Sequence, residues 1–206
     1  MTAPARPTDV VLVDAEASDA FGRRLAAMIR DGFASGAADR AGFTIHLSGE
    51  LGAGKTTIVR ALLRALGVTG RIKSPTFTLV ETYVVEMPKG FESRQNVKLN
   101  CYHFDFYRFD NPRDWVDAGF RDHFSDAALR LVEWAERIEV DGASLLPPPD
   151  LHVRLAVDGD GRTASLVAAT ATGAAWLSAA LASASPTAPR ATAGDSCDAA
   201  SAGSPD

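Results

Sequence analysis

The stretch Leu47-Ser48-Gly49-Glu50-Leu51-Gly52-Ala53-Gly54-Lys55-Thr56-Thr57 decides how this chain is read. It fits the phosphate-loop pattern G-x-x-x-x-G-K-[ST], with Gly49, Gly54, Lys55 and Thr56 at the fixed positions. Glycine tolerates backbone conformations that a Cβ forbids, so successive N–H groups can turn inward onto phosphate oxygens. Lysine carries a flexible point charge to the terminal phosphates, and the threonine hydroxyl can enter a magnesium shell. The flanks agree with the loop. Before it, Phe43-Thr44-Ile45-His46-Leu47 reads as a short buried strand. After it, Ile58, Val59, Leu62, Leu63 and Leu66 recur at helical spacing, and Gly67 stands where a helix stops. Strand, glycine loop and helix together aim a helix N-terminus at an anion.

A chain of 206 residues, 46% of them apolar, has enough material for one domain with a sizeable core and some surplus. Its net charge of −5 argues against a protein that grips DNA or RNA alone through a broad basic face. The charge is unevenly spread. Lys55, Arg60, Arg64, Arg71 and Lys73 follow one another with no acid between them, whereas six aspartates outnumber three arginines from Asp105 to Asp126. Such a surface suits docking to a protein, or to tRNA held jointly with one, and it equally suits a solvated face. The two cysteines, Cys101 and Cys197, fit no metal spacing and read as reduced thiols. The N-terminus has no signal-peptide pattern and no run reaches membrane-spanning length, so a soluble, cytoplasmic protein with no membrane partner is expected.

Outward from the loop, Val10 to Val13 reads as a strand, and Ser18 as the cap of a helix whose face carries Phe21, Leu25, Met28 and Ile29. Gly32 to Gly42 reads as a loop. On the other side, Ser74-Pro75-Thr76 reads as a turn and Phe77 to Val85 as a strand. A hydroxyl-rich loop after the first helix commonly senses a terminal phosphate, which makes Ser74, Thr76 and Thr78 switch candidates. Capping and cross-strand pairing would account for the same residues. Glu86 to Val97 is a polar hairpin excursion, from which Leu99 to Asp105 returns as a strand ending in an acid. Leu129 to Trp134 is a second such strand, with Glu133 at its end. An acid at a strand end beside a phosphate loop can hold magnesium or orient water, so Asp105 and Glu133 are the candidates. His103, on the opposite strand face from Phe104, reads as a packed or hydrogen-bonded histidine rather than a ligand. Asn111-Pro112 starts a short helix carrying Trp115 and Val116. Leu151 to Val157 and Thr163 to Ala169, joined by Asp158-Gly159-Asp160-Gly161, form a C-terminal hairpin, and a small helix over 174–181 closes the fold. Residues 1–7 are a flexible start and 182–206 an Ala/Ser/Pro-rich disordered tail.

Taken together, the phosphate loop, Ser74-Pro75-Thr76-Phe77-Thr78-Leu79-Val80, His103-Phe104-Asp105-Phe106-Tyr107-Arg108 and Val132-Glu133-Trp134 resemble the TsaE (YjeE) family, in the family's order and with similar gaps. The resemblance implies an α/β fold: a P-loop NTPase-like three-layer domain over 8–181, with a mixed, mainly parallel sheet and a C-terminal β-hairpin. It implies binding of ATP and Mg2+ and ATP hydrolysis that is weak alone and stimulated in a complex with the TsaD and TsaB proteins. That complex forms threonylcarbamoyladenosine beside the anticodon of tRNAs reading codons that begin with A; tRNA is met indirectly, and TsaE resets the complex rather than transferring the group. Residue by residue, Lys55, Asp105 and Glu133 carry over as catalytic, and Thr56, Glu133 and Asp105 as metal-binding. Glu50, Leu51, Gly52, Ala53, Gly54, Lys55, Thr56, Thr57, Trp134 and Arg162 carry over to ATP, and Ser74, Thr76 and Thr78 to the switch loop. The excursion over 86–98 is longer than the family's, and Ala135-Glu136 stands where a proline is frequent.

Two other functions fit a phosphate loop. A small-molecule kinase would need an acceptor pocket and an arginine-bearing lid, for which Arg108, Arg113 and Arg121 are available in a mostly acidic stretch. A nucleotide-stabilised scaffold would need no hydrolysis. A GTPase would need an Asn/Thr-Lys-x-Asp segment to read guanine, and the sequence has none.

Overall fold

The computed structural model describes residues 7–35, 42–88, 96–109, 111, 112, 115 and 119–183. In chain order they form β1 (Thr8–Leu12), α1 (Ala15–Ala34), β2 (Phe43–Gly49), α2 (Lys55–Ala65), β3 (Val80–Pro88), β4 (Asn96–Asp105) and β5 (Leu129–Glu133). There follow the short pair β6 (Glu139–Val140) and β7 (Ala143–Ser144), then β8 (Leu151–Asp158), β9 (Gly161–Ala168) and α3 (Ala171–Ser183). Two 3-10 turns, Phe120–Phe124 and Ala135–Ile138, flank β5.

Strand alternation sorts the core into two halves. Phe43, Ile45 and Leu47 of β2, Leu129 and Leu131 of β5, and Leu99 and Cys101 of β4 pack with the apolar stripes of α1 and α2. Tyr102 and Phe104 of β4 and Val132 of β5 belong instead to an aromatic cluster on the opposite face, with Phe106, Phe109, Trp115 and Phe120. Helices thus cover one face of the sheet and an aromatic-rich segment covers the other, which is the three-layer α/β arrangement expected of a P-loop domain.

The sheet has seven strands in the order β1-β9-β8-β2-β5-β4-β3. Its centre, β8-β2-β5-β4, is parallel, and antiparallel neighbours lie at both ends: β3 on β4, and the β8–β9 hairpin followed by β1. Parallel strands buried on both faces read as near-continuous apolar runs, as β2 and β5 do. Their shared polarity brings the C-terminal ends of β2, β4 and β5 to one edge, where ligands bind in open α/β sheets.

Four local readings are corrected. The cap of α1 is Asp14, whose carboxylate accepts from the Ala17 N–H at 2.7 Å, while the Ser18 hydroxyl donates back to the Asp14 carbonyl inside the first turn. α1 continues through Gly32 to Ala34, because Gly32 is a contact residue and not a stop: a Cβ there would lie 2.1 Å from the Trp176 ring. β3 begins at Val80 rather than Phe77, since the Leu79 N–H closes a turn onto the Pro75 carbonyl at 2.7 Å with φ of 64°. The first strand is Thr8–Leu12 and so sits earlier than Val10 to Val13. Residues 1–6 of the expected flexible start over 1–7, most of the Gly32–Gly42 loop, the tip of the 86–97 excursion, most of the helix after Asn111-Pro112 with Val116, and 184–206 of the expected tail with Cys197 lie outside the described residues; 182 and 183, assigned to that tail, belong to α3. Cys101 is fully buried, and burial pushes its thiol far up, so it is an inert core side chain. Among the described residues no helix is long and apolar enough to cross a membrane.

Candidate functional site

The loop between β2 and α2 is shaped by its glycines. Gly49 leaves the strand at φ 138°, and a Cβ there would lie 2.3 Å from the Leu155 carbonyl oxygen of β8. Gly54 is the N-cap of α2 at φ 100°, a left-handed conformation that costs other residues about 1–2 kcal/mol. α2 therefore opens without a side-chain cap, and its first-turn N–H groups face outward, where an anion can take them. Lys55, the first residue of α2, is 4% exposed and folds back on the loop. Its Nζ donates to the carbonyls of Gly49 and Glu50 at 2.6 and 2.9 Å and lies 3.8 Å from the centre of the Trp134 ring. Burial holds its pKa below the ordinary lysine value, against the opposing pull of Glu133, Glu136 and Asp105. Trp134 reaches that position through a left-handed backbone, φ 61°, directly after β5.

The parallel register of β4 and β5 sets Asp105 opposite Glu133. Both are buried and share the α2 face of the sheet. Glu133 is held at both oxygens: Oε2 accepts from the Thr56 hydroxyl at 2.8 Å, and Oε1 lies 2.7 Å from Nε2 of His103. Asp105 is held by the loop after α2. Its Oδ2 accepts from the hydroxyls of Thr76 at 2.7 Å and Ser74 at 3.4 Å, and its Oδ1 accepts from the Tyr107 N–H at 3.0 Å.

A hydroxyl and a carboxylate oxygen in contact suit magnesium, which binds through one or two protein oxygens and leaves its other positions to phosphates and water. Thr56 and Glu133 would hold it, with Asp105 near. Among the described residues no group of three or more His, Cys, Asp or Glu forms an all-protein cage, the arrangement a structural zinc would need.

Leu51, Gly52, Gly54, Lys55, Thr56 and Thr57 line a cleft of about 440 Å³, together with Ser74, Thr76, Asp105, Glu133 and Trp134. The other candidates fall outside its walls. The Ala53 side chain is buried in the core, Thr78 is exposed and donates to Glu81 at 3.1 Å, and Glu50 faces the other side of the loop. Arg162 reaches only the rim, its Nη2 being 3.5 Å from the Gly52 carbonyl. Sequence reading gave Tyr107 no role and named Arg108 only as a lid arginine for a kinase; both line the cleft, and Arg108 lies 4.1 Å above the exposed Phe77 ring of the loop after α2. His103, expected to be packed or hydrogen-bonded, is both: strand alternation puts it on the same face as Asp105, and it is buried against Glu133. A larger groove, about 1010 Å³, opens on the opposite face of the sheet between β2, β8 and the 135–149 segment. It is the more spacious of the two, but it has neither the helix N-terminus nor the lysine; chemistry assigns the phosphates to the smaller cleft.

The family model described as "Threonylcarbamoyl adenosine biosynthesis protein TsaE" matches residues 12–164 of the chain. A protein of Haemophilus influenzae called tRNA threonylcarbamoyladenosine biosynthesis protein TsaE is 37% identical over 126 residues, 61% of this chain and 70% of its own length. Its namesake in Treponema pallidum is 34% identical over 127 residues, 62% of this chain and 82% of its own. The crystal structure of YdiB from Bacillus subtilis superposes with a TM-score of 0.60 at 27% identity, covering 86% of this chain and 96% of that one.

Proposed function

The chain belongs to the TsaE family of threonylcarbamoyladenosine biosynthesis proteins, and from that membership and the acid-backed phosphate loop we propose that it is a magnesium-dependent ATP hydrolase serving tRNA threonylcarbamoylation. In this reading it works in the cytoplasm with TsaD and TsaB, on tRNAs that read codons beginning with A. Its turnover is slow alone and faster in the complex, which it resets between cycles without transferring the threonylcarbamoyl group. The observation that carries the reading is the 2.8 Å contact between the hydroxyl of Thr56, on the phosphate loop, and Glu133, at the end of a neighbouring strand.

The residues divide the work. Lys55 exchanges its two loop carbonyls for oxygens of the terminal phosphates, and the N–H groups at the start of α2 take the rest of that charge. Thr56 and Glu133 would hold magnesium, which would supply neutralisation of phosphate charge. Asp105 orients the attacking water, and Ser74 and Thr76 tie it to the loop that senses whether the last phosphate is present. Trp134 roofs Lys55 and keeps water from it. Arg162 approaches the base from the rim, and Thr78 moves with the switch loop.

The test is ATP hydrolysis by the whole chain, alone and with TsaD and TsaB, with and without tRNA. Weak turnover that rises with the pair is expected. Lys55→Ala abolishes it, and Glu133→Ala lowers kcat by at least about 100-fold while changing ATP affinity only a few-fold. Turnover indifferent to the pair, or phosphate delivered to a small acceptor, would instead indicate a kinase. Equal loss of binding and hydrolysis in Glu133→Ala would make that residue structural.

A further inference from the structure

His103 has an arrangement that core packing does not account for. Its side chain is wholly buried, and Nε2 lies 2.7 Å from Oε1 of Glu133, itself 2% exposed. The other ring nitrogen, Nδ1, is buried without a partner among the described residues. An unpaired buried polar atom costs roughly 1–3 kcal/mol, and an apolar side chain at this position on β4 would avoid that cost. A carboxylate oxygen only accepts, so the Nε2 that faces Oε1 carries a proton and donates it to Glu133. The carboxylate is then gripped from both sides, by His103 at Oε1 and by Thr56 at Oε2. Both grips come from regular elements, β4 and the first turn of α2. His103 also precedes Asp105 by two residues on one strand face, so a single rigid strand sets the positions of both acids.

We propose that His103 is a positioning residue of the magnesium site: by holding Oε1 of Glu133 it keeps Oε2 turned toward Thr56 and the place the metal takes. This rests on the magnesium site of the reading above. Without the imidazole the carboxylate can rotate away from Thr56, and the two oxygens meant to meet the ion no longer face it together. Outer partners of metal-binding carboxylates typically contribute 10–100-fold in metal affinity or activity.

Calorimetric titration of ADP into the full-length chain at a series of Mg2+ concentrations tests this, alongside kcat and KM and a melting curve for each variant. His103→Ala is expected to leave magnesium-free ADP affinity within about threefold and to raise the Mg2+ needed for half-maximal tightening by about 10–100-fold. It should lower kcat more than it alters KM. His103→Gln, whose amide can still donate to Oε1, is expected to recover most of both losses. If His103→Ala does not fold, His103→Gln decides alone: a magnesium requirement near that of the wild type upholds the proposal. A magnesium requirement unchanged in His103→Ala overturns it, as does a folded His103→Gln that needs 10-fold more Mg2+ than the wild type. Wild-type chain that tightens on ADP with Mg2+ but never hydrolyses ATP would sink the hydrolase reading and leave the positioning role standing. Wild-type binding with no Mg2+ dependence would remove both.

Discussion

His46 shows how one side chain with no part in the proposed chemistry can set a pH dependence. It lies on β2 opposite His152 of β8, is 7% exposed, and its Nε2 has no partner among the described residues. Burial, reinforced by His152, pushes its pKa down to about 4, and burial beside Arg154 lowers that of His152 as well. The folded chain therefore resists protons that the unfolded chain accepts. Stability is full above the ordinary histidine value of about 6.5 and declines as pH falls toward 4, where His46 alone would withdraw up to about 3 kcal/mol. Denaturant melts between pH 7 and pH 4.5 should show this fall. His46→Leu, which removes the titrating ring and keeps an apolar surface, should flatten the slope. An unchanged slope in the variant would assign the decline to groups other than His46, His152 first among them.

At the scale of an element, the segment from Ser74 to Leu79 links the phosphate cleft to β4. The Leu79 carbonyl accepts from the Asp105 N–H at 3.2 Å, while Thr76 donates to the carboxylate of the same residue. Backbone and side chain of Asp105 are thus both held by one loop. Leu79 keeps its left-handed backbone, which costs of order 1 kcal/mol, and such strain accumulates at segments that move. Thr76→Val is expected to lower ATP turnover by roughly 10-fold or more, since positioned acid–base groups contribute about 10²–10⁴-fold. ADP affinity should hold within about threefold, and Thr76→Ser should restore the rate. A rate that Thr76→Val leaves intact would reduce the loop to a structural turn. This segment also marks a limit of reading by pattern: Phe77 to Val85 alternates like one strand, but proline and the Pro75–Leu79 turn delay the strand to Val80. The strand, glycine loop and helix around Gly49 to Thr57 were legible because their pattern is local. The grip of His103 on Glu133 was not, because it depends on the pairing of strands 30 residues apart in sequence.

For the whole molecule, α3 ties the C-terminal end of the described residues to the strand that carries the phosphate loop. Trp176 of α3 stacks on Phe43 of β2 with centroids 4.1 Å apart and planes within 8°, and it fills the space that Gly32 leaves on α1. α3 is also tied at its start: Thr170 donates to Asp150 at 2.6 Å and accepts from the Gly173 N–H, while the same Asp150 accepts from the Thr44 N–H of β2. Composition alone suggested a small closing helix, because neither the glycine on α1 nor the aromatic on α3 points to its partner in sequence. In the fold the helix roofs the strand that delivers the phosphate loop. Deleting 184–206 is expected to leave the melting temperature and ADP affinity unchanged, since all of this packing lies before it. Deleting from 171 onward removes Trp176, worth about 3–5 kcal/mol on its own, from a domain whose whole stability is of order 5–15 kcal/mol. That truncation should melt at least about 10 °C lower and lose nucleotide binding with β2. Trp176→Ala in the full chain should reproduce most of the loss. A stable, nucleotide-binding chain ending at Thr170 would show that β2 holds its loop without α3.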